Sequence, residues 1–204
     1  MLIVVVLAVV SGAAGQMVKQ CQCHDFDPCY TGAADSVIAC ADRCQGNFVS
    51  LGANYAAARA CFVSHLGQLR GTLSCARSSF GQVCSAGPGG MVPKRYPETM
   101  QLAFFREISH NLQRSGVMAQ ATSLIQVARK GVGCIMKCVQ AQGCIKRLNC
   151  GLALPSDNQI VQVFKTCAVN SGFLSQSGFQ QICSCLGNAG IKQLTPLCNK
   201  ISLF

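Results

Sequence analysis

Apolar side chains along the chain recur mostly three or four residues apart, which is the spacing of one face of an α-helix. The clearest stripe lies in residues 35–51, where Asp35 is a suitable N-cap. Its members are Val37, Cys40, Cys44, Phe48 and Leu51. No segment shows a convincing alternation of apolar and polar residues, so no β-strand is predicted. The pattern predicts an all-α fold.

Two further segments combine helical stripes with helix start signals. Pro97 and Glu98 suit a first helical turn and predict a helix from residue 97. Its apolar positions are Met100, Phe104, Phe105, Ile108 and Leu112. Ser156 and Gln159 have the spacing of a capping box, which predicts that another helix begins just after Ser156. On that helix one face carries Ile160, Phe164 and Cys167.

The 204-residue chain contains 16 cysteines, and these form two sets of eight. The first set is Cys21, Cys23, Cys29, Cys40, Cys44, Cys61, Cys75 and Cys84. The second set is Cys134, Cys138, Cys144, Cys150, Cys167, Cys183, Cys185 and Cys198. Because the number is even, disulfides are the default expectation for an exported chain, although sequence does not give their connectivity.

The spacing Cys-x-x-x-Cys occurs twice, as Cys40/Cys44 and as Cys134/Cys138. Residues four apart lie on the same face of a helix, one turn above the other. Each pair is therefore better placed to bond to a neighbouring helix than to itself, which predicts disulfide-stapled helical hairpins. The repeated spacing is compatible with two similar cysteine-rich halves, but the other spacings do not match.

The N-terminal run MLIVVVLAVVSGAAG is short, apolar and ends in small residues, as signal peptides do. No other apolar segment approaches the ~20 residues that a membrane span requires. We therefore expect a secreted, extracellular protein without a transmembrane span. The predicted organisation is a signal peptide (1–15), an N-terminal cysteine-rich helical region (16–86), a Gly/Pro-rich linker (87–96) and a C-terminal cysteine-rich helical region (97–204).

One short run, CQCHDFDPCY at residues 21–30, resembles the histidine helix of secreted phospholipases of the A type. That chemistry needs a histidine on a helix, a glycine-rich calcium loop and a second carboxylate. Here no calcium loop precedes His24, and Pro28 is expected to break a helix. The ligand types also permit a zinc site of Cys21, Cys23, His24 and Cys29. The even cysteine count instead favours a strap anchored by disulfides.

Other catalytic arrangements are also absent from the sequence. The seven acidic residues are scattered along the chain, and no Gly-x-Ser-x-Gly motif occurs. His65 and His110 are interpreted as helix-surface positions rather than catalytic bases. We therefore expect a protein that is not an enzyme and uses no cofactor.

The formal net charge of +10 is unevenly distributed. Residues 16–96 carry seven basic and four acidic groups, whereas residues 97–204 carry ten and three. The acid-free stretch between Glu107 and Asp157 contains the candidate anion-binding residues Arg129, Lys130, Lys137, Lys146 and Arg147. On an unbroken helix Lys130 and Lys137 would share a face with Cys134, so we expect a helix break at Gly131 and Gly133 that turns the two lysines outward.

The partner predicted from this charge is a glycosaminoglycan or another anionic surface. Nucleic acid is not expected, because aromatic residues do not interleave with the charges as stacking platforms would. The residues do not indicate an oligomeric state.

Three motifs and the apolar N-terminus resemble the chondroitin proteoglycan 4 domain of nematode-type secreted cysteine-rich proteins. The motifs are CADRCQGNF at 40–48, ACF at 60–62 and CIMKCVQAQGC at 134–144. The resemblance implies a secreted, non-catalytic extracellular protein of a family in which some members carry chondroitin chains. Such chains are added at Ser-Gly dipeptides with acidic neighbours, and Ser115, Ser171 and Ser177 have none. We therefore expect no glycan here.

The sequence thus favours a secreted, non-enzymatic structural or binding protein of the extracellular space, with the basic C-terminal half binding an anionic polymer. The alternative is a basic lipid- or membrane-active protein built of disulfide-stapled helices. Binding to anionic vesicles, compared with binding to an immobilised glycosaminoglycan, distinguishes the two.

Overall fold

A computed structural model describes residues 16–31, 33–142 and 148–201, which form the predicted all-α, disulfide-stapled fold. The helices are α1 (Cys23–Thr31), α2 (Ala33–Arg43), α3 (Gly46–Val49), α4 (Tyr55–Ser64), α5 (Leu66–Phe80), α6 (Pro97–Arg114), α7 (Met118–Gln142), α8 (Asp157–Asn170) and α9 (Gln176–Asn188). A 3₁₀ turn follows at Lys192–Leu194. The predicted signal peptide lies outside the described residues.

Helix start signals in the sequence are confirmed for α6 and α8. Helix α6 begins at Pro97. The capping box of α8 is complete, since the Ser156 hydroxyl accepts from the Gln159 amide and the Gln159 side chain accepts from the Ser156 amide. Asp35 is not the N-cap of α2, because that helix begins two residues earlier and places Asp35 in its first turn. The stripe in residues 35–51 is divided between α2 and α3.

A short antiparallel ribbon accompanies the helices, and the sequence did not predict it. Strand β1 (Met17–Lys19) pairs with β2 (Met91–Pro93), and β2 lies within residues 87–96. Three residues per strand are too few to show a period-2 alternation. The ribbon is therefore specified by its tertiary partners.

Seven disulfides are described, and five of them join a cysteine of the first set to a cysteine of the second. The bonds are Cys21–Cys150, Cys23–Cys84, Cys40–Cys138, Cys44–Cys134, Cys61–Cys185, Cys75–Cys167 and Cys183–Cys198. Cys29 is also disulfide-bonded. No cysteine in residues 16–31, 33–142 and 148–201 is free.

The predicted bonding of the Cys-x-x-x-Cys pairs to another helix is confirmed. Cys40 at the end of α2 bonds to Cys138, and Cys44 just beyond α2 bonds to Cys134. Because the numbers rise on one side and fall on the other, α2 and this part of α7 are antiparallel. Two cross-links one turn apart form a ladder that fixes the orientation of α7.

The main core is built from α4, α6, α7 and the C-terminal segment. Its larger members are Phe105, Leu112, Leu124, Ile125, Ile191, Leu197 and Ile201. Phe105 is 2% exposed, whereas the neighbouring Phe104 is 43% exposed and packs edge-on against it. The predicted stripe of α6 therefore includes one residue, Phe104, that lies at the surface. A second, smaller core surrounds Phe26 and Val83 beside the disulfides of Cys21 and Cys84.

An ion pair joins α6 to α8. The Lys165 ammonium donates to Oε1 of Glu107 at 2.6 Å, and the Gln162 amide donates to Oε2 at 3.3 Å. The hydrogen bond from Lys165 is the main cause that holds the pKa of Glu107 below its ordinary value, and it outweighs the opposing effect of burial. Both charged side chains are about three-quarters buried.

This ion pair is expected to make the stability sensitive to acid. Because the folded pKa of Glu107 lies below the unfolded value of about 4.5, its contribution is complete above that value and is lost as pH falls through the folded pKa. Glu107→Gln should cost on the order of 1 kcal/mol at neutral pH and should reduce the further loss in acid. Thermal unfolding followed from neutral pH into acid measures both effects.

The matched control is Glu98→Gln, which removes an exposed carboxylate from the first turn of the same helix. This variant should keep the acid sensitivity of the native protein. An unchanged acid sensitivity in Glu107→Gln would show that the ion pair does not contribute.

Candidate anion-binding face

Helix α7 carries the described candidate cations and runs without interruption from Met118 to Gln142. The expected break at Gly131 and Gly133 is therefore wrong. Each glycine costs a helix about 1 kcal/mol relative to alanine, but the two disulfides from Cys134 and Cys138 and the core contacts hold this part of the helix in place. Neither α7 nor any other helix in the described ranges is long and apolar enough to cross a membrane.

Lys130 and Lys137 are nevertheless exposed, as predicted. They lie seven residues apart, which is two turns, so they point in nearly the same direction about 10 Å apart along the helix axis. Cys134 lies between them and is only partly buried. Since the α7 half of the ladder is only partly buried and lysine side chains are long, both ammonium groups reach solvent without a break in the helix.

Arg129 lies at the edge of this surface and is partly engaged by α6. Its side chain is exposed, and its guanidinium carbon is 5.2 Å from the centroid of the Phe105 ring. The Arg129 carbonyl accepts a hydrogen bond of 2.9 Å from the Gln101 side chain. Arg129 therefore contributes contacts between α6 and α7 as well as positive charge. We call Lys130 and Lys137, with Arg129 at the edge, the α7 basic face.

The acidic residues of the chain are used elsewhere. All seven are described, and five form ion pairs: Asp27 with Arg77, Asp35 with Arg70, Asp42 with Arg59, Glu107 with Lys165 and Asp157 with Arg95. A sixth, Asp25, lies 3.0 Å from Nε2 of the neighbouring His24. The seventh, Glu98, is exposed on α6 and has no ion pair with a described residue. None of the seven forms an ion pair with the α7 basic face in the described part of the chain.

Asp42 forms a hydrogen-bonded cluster with two side chains of α4. It accepts hydrogen bonds of 2.7 Å from both the Arg59 guanidinium and the Tyr55 hydroxyl. The bond from Arg59, followed by that from Tyr55, lowers the pKa of Asp42, while burial and this carboxylate raise the pKa of Tyr55. The cluster links α2 to α4 and has the character of a structural contact.

The sequence identified the cations of this surface but not the contacts of the surrounding side chains. Lys146 and Arg147, the other two candidates, lie outside the described residues, as does Cys144. The contact of Arg129 with Phe105 and the pairing of Lys165 with Glu107 had no signal in the sequence, because the partners are 24 and 58 residues apart.

The phospholipase-like run forms helix α1, which buries Phe26 and leaves His24 and Asp25 exposed. Helix α1 extends through Pro28, so the expected break is wrong. Proline has no N–H, so the helix lacks only the hydrogen bond to the His24 carbonyl. His24 lies in the solvent-exposed first turn. His24 pairs with the adjacent Asp25, while Asp27 pairs with Arg77 on α5. Cys21, Cys23 and Cys29 are disulfide-bonded and do not form a zinc site. No cluster of three potential metal ligands occurs in the described part of the chain.

The interpretation of His65 as a helix-surface position is wrong. It is buried at the junction of α4 and α5, where its Nδ1 lies 2.9 Å from the Cys61 carbonyl and 3.0 Å from the Ser64 hydroxyl. Local hydrogen bonds therefore hold it inside the protein instead of on a helix surface.

A groove of about 750 Å³ lies between the end of α5 and the start of α8. Phe80, Leu154 and Val163 give it an apolar floor, and amide side chains of α8 line one side. Its described lining contains no acid, base or histidine. The groove therefore offers shape without an identifiable chemistry.

Comparisons with known proteins do not assign the chain. No protein-family model matches it, and no curated protein or solved structure matches it either. The resemblance to the chondroitin proteoglycan 4 domain thus stays a prediction.

Proposed function

We propose that the chain is a secreted, non-enzymatic binding protein of the extracellular space, and that its α7 basic face binds a linear sulfated polysaccharide. The observation that carries the proposal is the pair of exposed lysines on one side of α7, neither of which forms an ion pair with a described acid. A linear polyanion lying along the helix could contact both ammonium groups together.

The disulfides support both the location and the binding mode. Seven described cross-links are typical of proteins that mature in an oxidising compartment. The ladder to α2 fixes the helix backbone between and beside the two lysines. Binding then orders only the lysine side chains, which limits the entropic cost of association.

Heparin affinity chromatography tests the proposal with two double variants of equal charge. Lys130→Glu/Lys137→Glu reverses the α7 basic face. Lys192→Glu/Lys200→Glu makes the same charge change at two exposed residues near the C-terminus. We expect the first variant to lose roughly tenfold or more in affinity, because each surface ionic contact contributes up to about 1 kcal/mol and reversal adds repulsion. Elution of the native protein should shift strongly with salt.

The control variant should elute close to the native protein, and circular dichroism should show that both variants are folded. Equal losses in the two variants would mean that heparin responds to net charge, and the proposed site would be rejected. Full retention of Lys130→Glu/Lys137→Glu would reject it as well.

A further inference from the structure

The side-chain amide of Gln16, the residue before strand β1, is held at its oxygen by two donors. The Lys94 ammonium donates to Oε1 of Gln16 at 2.9 Å, and the Tyr96 hydroxyl donates to the same oxygen at 3.4 Å. The ammonium also lies 5.5 Å from the centroid of the Tyr96 ring, a cation–π contact that positions it. Two donors on one carbonyl oxygen draw electron density from the amide carbon and favour its attack by a nucleophile.

The β1–β2 ribbon brings these three residues together. The register pairs Met17 with Pro93, so Gln16 and Lys94 lie opposite each other at the end of the ribbon. The Lys94 amide accordingly donates to the Gln16 main-chain carbonyl at 2.7 Å. Side chains of opposite residues lie on the same face of an antiparallel pair, and Tyr96 follows Lys94 by two residues. The contact with Oε1 is therefore a consequence of strand pairing.

Both partners in this contact are anchored to the helical body. Cys21, two residues after β1, is disulfide-bonded to Cys150. Arg95, between the two donor residues, donates to the Leu154 and Pro155 carbonyls at 2.7 Å each. The donors are thus set in place by the fold, and little reorganisation is needed if charge develops on the amide oxygen.

Gln16 is also the residue that the predicted signal-peptide cleavage exposes. The predicted peptide is residues 1–15, and Ala13 and Gly15 supply its small cleavage-site residues. Cleavage gives Gln16 a free α-amine. Such amines have a pKa of about 8, so part of the population is unprotonated and nucleophilic at neutral pH. In an N-terminal glutamine this amine and the side-chain amide carbon can close a five-membered lactam.

We propose that Gln16 is the mature N-terminus and cyclises to pyroglutamate, with Lys94 and Tyr96 as catalytic residues that stabilise the oxyanion. The α-amine nitrogen forms a bond to Cδ, and negative charge develops on Oε1 beside the two donors. The bond from Cδ to Nε2 then breaks, and Nε2 leaves as ammonia after taking up the proton that the amine loses. The reaction is intramolecular and needs no co-reactant. It rests on the secretion in the proposed function and not on polysaccharide binding.

Cyclisation changes the N-terminus of the mature protein. It removes the positive charge of the α-amine. It also removes the free amine that aminopeptidases require. The lactam keeps the oxygen of the former amide, so Lys94 and Tyr96 can still donate to it. The ribbon then ends in a neutral ring that stays bound at the protein surface.

Mass spectrometry of the secreted protein tests the modification. The full chain is expressed with its own N-terminal run, and the first peptide of the secreted product is identified. We expect this peptide to begin at residue 16 and to be lighter than the linear peptide by one ammonia. A different first residue would refute the cleavage, and a linear Gln16 would refute the cyclisation, so either result overturns the proposal. Heparin binding does not enter this measurement, so rejection of the α7 basic face leaves it intact.

The rate of ring closure tests the two donors. Oxidised residues 16–204 are prepared behind a tag whose proteolytic removal leaves Gln16 first, and loss of ammonia is followed with time at neutral pH. A donor to an oxyanion in a closed site contributes on the order of 100-fold or more, and solvent weakens it at these exposed residues. Lys94→Met should therefore slow closure roughly tenfold. Tyr96→Phe should slow it less, because its bond to Oε1 is longer.

Lys19→Met is the matched control. It removes the same charge from the same ribbon, but Lys19 lies opposite Met91, and neither residue contacts Gln16 in the described hydrogen bonds. This variant should cyclise at the native rate, and circular dichroism should show that all variants are folded. A native rate in Lys94→Met, or equal slowing in Lys19→Met, would overturn the catalytic role. A free peptide of residues 16–20 should close more slowly than the native protein, and an equal rate would overturn it as well.

Discussion

Replacing Phe105 by alanine should destabilise the protein by about 3–5 kcal/mol, the largest effect expected for a single side chain here. Phe105 is 2% exposed and belongs to the main core together with residues of α7 and the C-terminal segment. The substitution removes the buried ring and leaves a cavity that disulfide-linked helices cannot easily close. It also removes the aromatic face beneath the Arg129 guanidinium.

The neighbouring residue supplies the control. Phe104→Ala deletes the same ring from a side chain that is 43% exposed, so it should cost much less than Phe105→Ala. Unfolding in guanidinium chloride, with disulfides kept intact and followed by circular dichroism, measures both variants. Similar losses for the two residues would contradict the described orientation of α6.

Removing the disulfide ladder between α2 and α7 should produce the second large effect. The variants are Cys40→Ala/Cys138→Ala, Cys44→Ala/Cys134→Ala and the combination of both. While one bond remains, the other closes only a short ring through it, and its loss should cost about 3 kcal/mol. Loss of both releases a much longer segment of the unfolded chain and should cost about 6–7 kcal/mol.

The informative quantity is the difference between the combined variant and the sum of the two pairs. We expect the combined loss to equal or exceed that sum, because the second bond removed closes a larger ring than the first. Guanidinium unfolding of the four oxidised proteins gives this comparison, and a peptide map confirms the remaining bonds. A combined loss well below the sum would show that the ladder does not act by restricting the unfolded chain.

The ladder also shows which features of the disulfides can be predicted from residue spacing alone. Cysteines four residues apart must share a helix face, so the prediction that each pair bonds to another helix followed from residue spacing and was confirmed. Which helix that is did not follow, because the bonded cysteines are 98 and 90 residues apart. The cost of closing a ring grows only slowly with its length, so spacing along the chain does not select a partner.

For the candidate sites, too, the sequence predicted the local features and not the long-range contacts. The cations of α7 were found from the sequence because an acid-free stretch is a property of composition. Their exposure was predicted for the wrong reason: a helix break was expected, whereas cross-links to α2 keep the helix intact. The ribbon was missed entirely, since it joins residues 17–19 to residues 91–93 across the fold.

The helical class, the starts of α6 and α8, the shared faces of cysteines four apart and the excess of positive charge are local features, set by residues close together in the chain, and the sequence is sufficient for them. Phe104 and Phe105, adjacent and chemically identical, show what such features leave open. Which ring is buried depends on the direction from which α7 and α8 approach α6. That direction is set by packing between residues far apart in the chain, and it appears only when the helices are assembled.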